Sequence, residues 1–197
     1  ILEKLPVVND RNYWLVRTNA GNYYNSFLSG LFIAIGYDKI SLEDISLAYK
    51  ERPTAVNVLS EKISTIYGED EKRPKHAARQ LIKFVYSIKK GDIVMIPSEN
   101  SEDIAFIEVV ETPVFNEFDS KFDCPYIKRK QIKLLRIVSR NELDPNLYKL
   151  MFSHHTITEA NQYDKYIDKI LNGLFIKNNN AHIVLEVQTH NDVKARN

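Results

Sequence analysis

The stretch Tyr13-Trp14-Leu15-Val16-Arg17-Thr18-Asn19-Ala20-Gly21-Asn22-Tyr23-Tyr24, followed by Leu31-Phe32-Ile33-Ala34-Ile35-Gly36-Tyr37-Asp38-Lys39, decides how this chain is read. Tyr13 to Asn19 is rich in β-branched and aromatic residues and predicts a strand. Ala20-Gly21-Asn22 is a turn signal. Tyr23 to Ser29 fits a short helix stopped by Gly30. Leu31 to Ile40 is apolar enough to be a second strand buried on both faces. The chain's only Trp, an Arg and several Tyr are thereby brought close to two strand ends. Aromatics and an Arg at strand ends make a cradle for a flat ligand such as a nucleobase. The chain reads as a binder rather than a catalyst.

Outward from this stretch, Ser41 with Asp44 three residues on is a helix start, and that helix should run to about Glu51. A second helix fits Thr54 to Tyr67, ended by Gly68. A third fits Pro74 to Lys89, with Ala78, Leu81, Ile82, Val85 and Ile88 at helical spacing. The period then changes. Strands are expected at 92–97, 104–114 and 126–138, with an aromatic loop at 115–125 that carries Phe115, Phe118 and Phe122. From Leu143 the pattern turns helical again, and His182 to Gln188 reads as a late strand. The order predicts an α+β fold: a twisted, nearly closed β-barrel over residues 11–142, with helices 41–90 inserted on one side. Residues 143–197 form a helical and strand appendage.

At 197 residues the chain is long enough to bury a core without staples. It shows no run of apolar residues long enough for a transmembrane helix. The lone Cys124 has no internal disulfide partner, which fits a reducing cytoplasm. The formal charge of +1 hides segregated signs: acids gather at Glu69-Asp70-Glu71, bases from Arg73 to Lys90 and from Lys128 to Arg140. A balanced total with separated signs permits a basic face.

Three segments together resemble the PUA-like superfamily, especially its EVE and YTH-like members and the N-terminal modules of bacterial restriction systems. The first is Tyr13-Trp14-Leu15-Val16-Arg17 with Gly21 and Tyr24, then Phe32 to Gly36-Tyr37. The second is Phe84 through Ile88 to Gly91-Asp92-Ile93-Val94. The third is Ile104 to Val110, then Pro125-Tyr126-Ile127-Lys128-Arg129-Lys130-Gln131-Ile132. The match spans roughly residues 11–140. Two departures stand out: family members often carry Trp where this chain has Tyr37, and His where it has Tyr126. The resemblance implies a PUA-like barrel and a reader of nucleic acid, DNA before RNA. It implies a modified, methylated base taken into an aromatic pocket. It also implies membership of a restriction or anti-phage system whose effector is a nuclease or NTPase. No cofactor, no metal and no membrane partner are expected.

The base-pocket candidates are Trp14, Tyr37, Asn19, Tyr23, Tyr24 and Gly36. Trp14 lies within an apolar strand, which suits core packing as well as a cage wall. Tyr23 and Tyr24 suit helix packing, and Asn19 suits a turn. The backbone-contact candidates are Arg17, Arg79, Lys83, Lys128, Arg129 and Lys130. Lys75, Arg79, Lys83 and Lys90 share a helix face, a stripe that suits phosphates or plain solvation. The alternative function is a metal-dependent nuclease or other hydrolase. Its candidates are His154-His155 with Asp164 and Asp168, Cys124, and Glu186 to Gln188.

Overall fold

Every residue of β1 (Tyr13–Val16) is buried, because the strand has packed layers on both of its faces. The computed structural model describes residues 10–112 and 114–172. After β1 come α1 (Tyr24–Gly30), β2 (Phe32–Ile35), α2 (Leu42–Lys50), α3 (Ala55–Tyr67) and α4 (Pro74–Ile82). There follow β3 (Ile93–Pro97), β4 (Asp103–Val109), the short β5 (Phe115–Asn116) and the long β6 (Lys128–Ser139). The described chain closes with α5 (Tyr148–Met151), β7 (Ile157–Glu159) and α6 (Asp164–Leu171).

The strands form one sheet in the order β2-β6-β4-β3-β1-β7, with β5 beside the start of β6. β1 pairs with β3 in parallel and the other neighbours are antiparallel. Strand alternation divides the core. Trp14 and Val16 join Val94, Ile96, Ala105 and Ile107 on the side covered by α1 to α4. Tyr13 and Leu15 join Ile93, Met95, Ile104 and Phe106 on the side covered by Leu143, Leu147, Leu150 and Ile167.

The fold is α+β with a sheet curled into a half-barrel. The curl has a local cause. The β4–β6 register shifts between Phe106 and Ile107, so Leu135 is an extra residue on β6, and a bulge of this kind bends and twists its strand. The bend lets β6 serve β4 with its C-terminal part and β2 and β5 with Lys128 to Gln131. The expected near-closure is not reached, because β2 and β7 remain as the two ends of the strand order.

Several expected bounds shift for backbone reasons. β1 stops at Val16, and Asn19 and Ala20 take left-handed conformations with φ of 52° and 56°. Gly21 lets this turn lie against Glu99, where a Cβ would come within 2.3 Å of the Glu99 amide nitrogen. β2 stops at Ile35, just ahead of left-handed Tyr37. The capping box expected at Ser41 and Asp44 forms in both directions. The helix expected over 74–89 is α-helical only to Ile82 and continues as a π turn over Lys83–Ser87, where Ile88 N donates to Lys83 O. Helices α2 to α4 lie between β2 and β3 in the chain and cover one side, as expected of the insertion. In the region expected as an appendage, β7 adds to the sheet beside β1 and α6 seals the second core. The expected strand at 182–188 lies outside the described residues. Among the described residues no helix is long and apolar enough to cross a membrane.

A buried carboxylate ties the C-terminal end of the insertion to β1 and the residue before it. Asp92, almost fully buried, accepts from Trp14 Nε1 at 2.9 Å, Lys89 N at 2.9 Å and Asn12 N at 3.0 Å. The bonds lock the start of β3 to β1, where the parallel pairing begins. Each donor left buried without a partner costs about 1–3 kcal/mol. Asp92→Ala is therefore expected to lower unfolding free energy by about 3 kcal/mol or more, read from urea denaturation, with Trp14 fluorescence reporting a loosened indole.

Candidate aromatic site at the end of β2

β2 delivers the chain to Gly36 and Tyr37, and here the tyrosines gather. The Tyr126 ring lies against Gly36: a Cβ on Gly36 would sit 3.1 Å from it. Tyr23 meets Tyr126 edge to face, with ring centroids 5.1 Å apart. Tyr37 meets Tyr67, from the end of α3, edge to face at 5.5 Å. All four rings are half-buried. An edge-to-face pair occupies a face of only one of its two rings.

The polar groups of this cluster are set by burial. Tyr37 OH donates to Glu71 Oε2 at 2.5 Å. Burial raises the Tyr37 phenol first, and Glu71 holds the proton further. Burial also pushes Tyr126 up to about 12 and raises Tyr67. The Tyr37, Tyr67 and Tyr126 phenols thus stay protonated across the physiological range. Glu71 uses its other oxygen to accept from Arg73 N at 2.7 Å. Lys39 sits over the Tyr67 ring at 5.6 Å.

The sequence candidates divide. Gly36, Tyr37 and Tyr23 belong to the cluster. Trp14 belongs to the core: its ring is buried and its N–H is committed to Asp92. Tyr24 is buried in the same core, its hydroxyl without a partner. Asn19 is exposed in the left-handed turn, away from any contact with the four rings that the structure records. Tyr67, Tyr126 and Glu71, which also belong to the cluster, were not among the sequence candidates. Tyr126 was visible only as a departure from a family pattern. Tyr67 and Glu71 carry no local signal, since their contacts with Tyr37 cross about thirty residues of chain.

The largest correction concerns Lys128, Arg129 and Lys130, expected as an exposed basic patch. All three are at most 2% exposed. Lys128 Nζ donates to Tyr37 O at 2.8 Å and faces Asp38 at 3.8 Å. Arg129 donates to Tyr126 O and Cys124 O, and its guanidinium lies 4.0 Å from the Phe32 ring centre. Lys130 Nζ reaches Ile88 O at 2.7 Å, Val85 O at 3.4 Å and Thr112 O. Burial lowers the Lys130 ammonium to about 8, opposed by Asp92, and lowers Lys128 as well. These cations brace the frame behind the tyrosines.

Arg17, expected at a nucleic-acid backbone, also turns inward. Its Nε donates to Ser153 O at 2.6 Å, its Nη2 to Met151 O, and its backbone N to Thr156 O at 2.8 Å. It thereby holds the segment that carries His154 and His155. His155 packs on His76 of α4, with ring centroids 4.7 Å apart. Burial lowers the His76 imidazole, and the charges of His155, Arg73 and Arg79 lower it further, against Glu71. Arg79 is exposed and Lys83 half-buried. Of the groups weighed for hydrolysis, Asp168 accepts the Tyr13 hydroxyl at 2.6 Å, and burial raises the Cys124 thiol. Glu186 to Gln188 lie outside the described residues. Among the described residues no three His, Cys, Asp or Glu side chains are grouped to hold a metal.

A family model described as a domain of unknown function, DUF8426, matches residues 13–161. No curated protein and no solved structure matches the chain.

Two outcomes follow from these environments. Lys130→Met leaves buried carbonyls unpaired and should cost on the order of 1–3 kcal/mol. Exposed Lys90→Met should stay within about 0.5 kcal/mol by the same urea measurement. For His76 the folded form binds its proton less readily than the unfolded chain, whose value is near 6.5. Its neutral form therefore supports the fold above that pH, and this support is lost as pH falls below about 6.5. The fall in urea midpoint between pH 7 and 5 should be shallower in His76→Asn than in the parent.

Proposed function

The chain belongs to the DUF8426 family, and we propose, from its own residues, that it is a nucleic-acid reader. It takes a modified base into the tyrosine cluster at Gly36. One observation carries this reading: two edge-to-face tyrosine pairs, Tyr23–Tyr126 and Tyr37–Tyr67, drawn from four separate segments, are joined through the consecutive residues Gly36 and Tyr37, with Tyr126 lying on the residue that has no side chain. Glycine permits the close approach of a flat group, and half-buried rings supply stacking surface of about 1–3 kcal/mol per base. The protonated phenols of Tyr67 and Tyr126 supply polar contacts for a base edge beside the Tyr37–Glu71 bond. A methyl group adds apolar contact of about 1 kcal/mol in a snug site.

The resemblance of Tyr13 to Tyr37, Phe84 to Val94 and Ile104 to Ile132 to PUA-like readers supports the same reading. It favours DNA as partner and a methylated base as ligand. It also favours a cytoplasmic restriction or anti-phage role, with a nuclease or NTPase as effector. The buried Lys128, Arg129 and Lys130 enter this reading as the frame of the site.

The test is a fluorescence-anisotropy panel of single- and double-stranded oligonucleotides, unmodified or methylated at adenine or cytosine. Tyr37→Ala and Tyr126→Ala are each expected to weaken binding by roughly 1–3 kcal/mol with little change in melting temperature. They should also reduce the preference for the methylated strand. If both variants bind every oligonucleotide as the parent does, the cluster is only a packing feature and the reading falls.

A further inference from the structure

A second group of side chains borders the tyrosines and has an opposite character. His76 of α4 and His155 of the segment before β7 face each other at 4.7 Å between ring centres, their planes tilted by 38°. His155 is exposed and His76 half-buried. Arg73, at the start of α4, and Arg79, one turn beyond His76, are both exposed and act electrostatically on His76. His154 is exposed beside His155. Among the described residues the acidic group that acts on His76 is Glu71, and both its oxygens are engaged, by Tyr37 OH and by Arg73 N. Two imidazoles and two guanidiniums thus share one patch of surface with a single occupied carboxylate.

Such a patch has an unbalanced electrostatic state. Protonating both imidazoles at this separation sets like charges against each other, with two arginines adding to the repulsion. An anion with several oxygens removes that penalty, since each protonated ring and each guanidinium donates to it. Phosphate suits the arrangement, because guanidinium forks and imidazolium N–H groups match its oxygens.

We infer that His76, His155, Arg73 and Arg79 form a phosphate-binding patch that takes up protons as it takes up phosphate. In the nucleic-acid reading, on which its physiological ligand rests, this patch holds a backbone phosphate next to the base in the tyrosine cluster. Glu71 is the link, since it touches Tyr37 on one side and Arg73 on the other. Arg17 is a positioning residue here: its bonds to Met151 O and Ser153 O tie the His155 segment to the end of β1, while Ile157 N donates to Gln80 of α4 at 2.6 Å. Binding and protonation are then linked, so affinity rises as pH falls, by up to about tenfold per pH unit for each proton taken up.

The experiment uses two probes, a single-stranded oligodeoxynucleotide and tripolyphosphate, between about pH 8 and pH 6. Affinity is measured by anisotropy and competition, and the imidazole titrations are followed by NMR in the parent protein. Both probes are expected to bind more tightly at the lower pH and to shift the His76 and His155 titrations upward. The double variant His76→Asn/His155→Asn should bind equally at both pH values and match the parent only at the higher one. Tyr126→Ala should lose affinity for the oligonucleotide and keep its pH dependence. Response to tripolyphosphate alone would make the patch a free polyphosphate site. Parent imidazoles unmoved by either probe, or a pH dependence unchanged in the folded double variant, would overturn the inference. Loss of binding in Tyr37→Ala with a flat pH profile in the parent would sink the patch and spare the tyrosine site. A steep profile with a harmless Tyr37→Ala would do the reverse.

Discussion

Three consecutive cations buried on one strand impose the strongest constraint on this molecule. An ammonium or guanidinium taken out of water must find acceptors. Lys128, Arg129 and Lys130 find theirs in backbone carbonyls of Tyr37, Tyr126, Cys124, Val85, Ile88 and Thr112. The start of β6 therefore staples the end of β2, the loop before β6, the exit of the π turn and the loop after β4. A hydrophobic strand in the same place would bury as much surface, but it would leave those carbonyls unsatisfied. The arrangement is costly and it is specific, since each long side chain reaches a different segment.

That frame explains why tyrosines from distant positions meet. The Lys128 bond to Tyr37 O sets the backbone from which Tyr37 reaches Glu71. The Arg129 bond to Tyr126 O places Tyr126 over Gly36. On the far side of the insertion, Asp92 binds Trp14, Lys89 and Asn12 and opposes the charge of Lys130. Asp92 accepts from Lys89 N and Lys130 donates to Ile88 O, so both groups hold segment 88–92. The residues that resemble a basic reading surface thus work as internal struts, and the exposed positive charge of this region lies on α4 and the His155 segment.

The neighbourhood of Glu71 joins two kinds of chemistry. Toward Tyr37 it meets aromatic rings whose phenols stay protonated because they are half-buried. Toward Arg73, whose guanidinium charge is fixed, and His76 it meets an imidazole whose charge depends on pH. In the proposed reading these two neighbours would take the flat and the charged parts of one nucleotide.

Local chemistry determined much of this chain. Apolar and β-branched runs specified the strands from Tyr13, Phe32, Ile93 and Ile104, because a half-buried or fully buried strand needs such residues whatever surrounds it. Ser41 with Asp44 specified a helix start through its own backbone bonds. Gly36 and Tyr37 were legible as a strand end with a ring beside it. The partner rings Tyr67 and Tyr126, the carboxylate of Glu71 and the pairing of His76 with His155 were not legible, since their contacts join segments far apart in sequence. Nor was the burial of Lys128, Arg129 and Lys130. A run of bases carries the same local signature on a surface as in a core, and only the carbonyls of folded neighbours decide which it is.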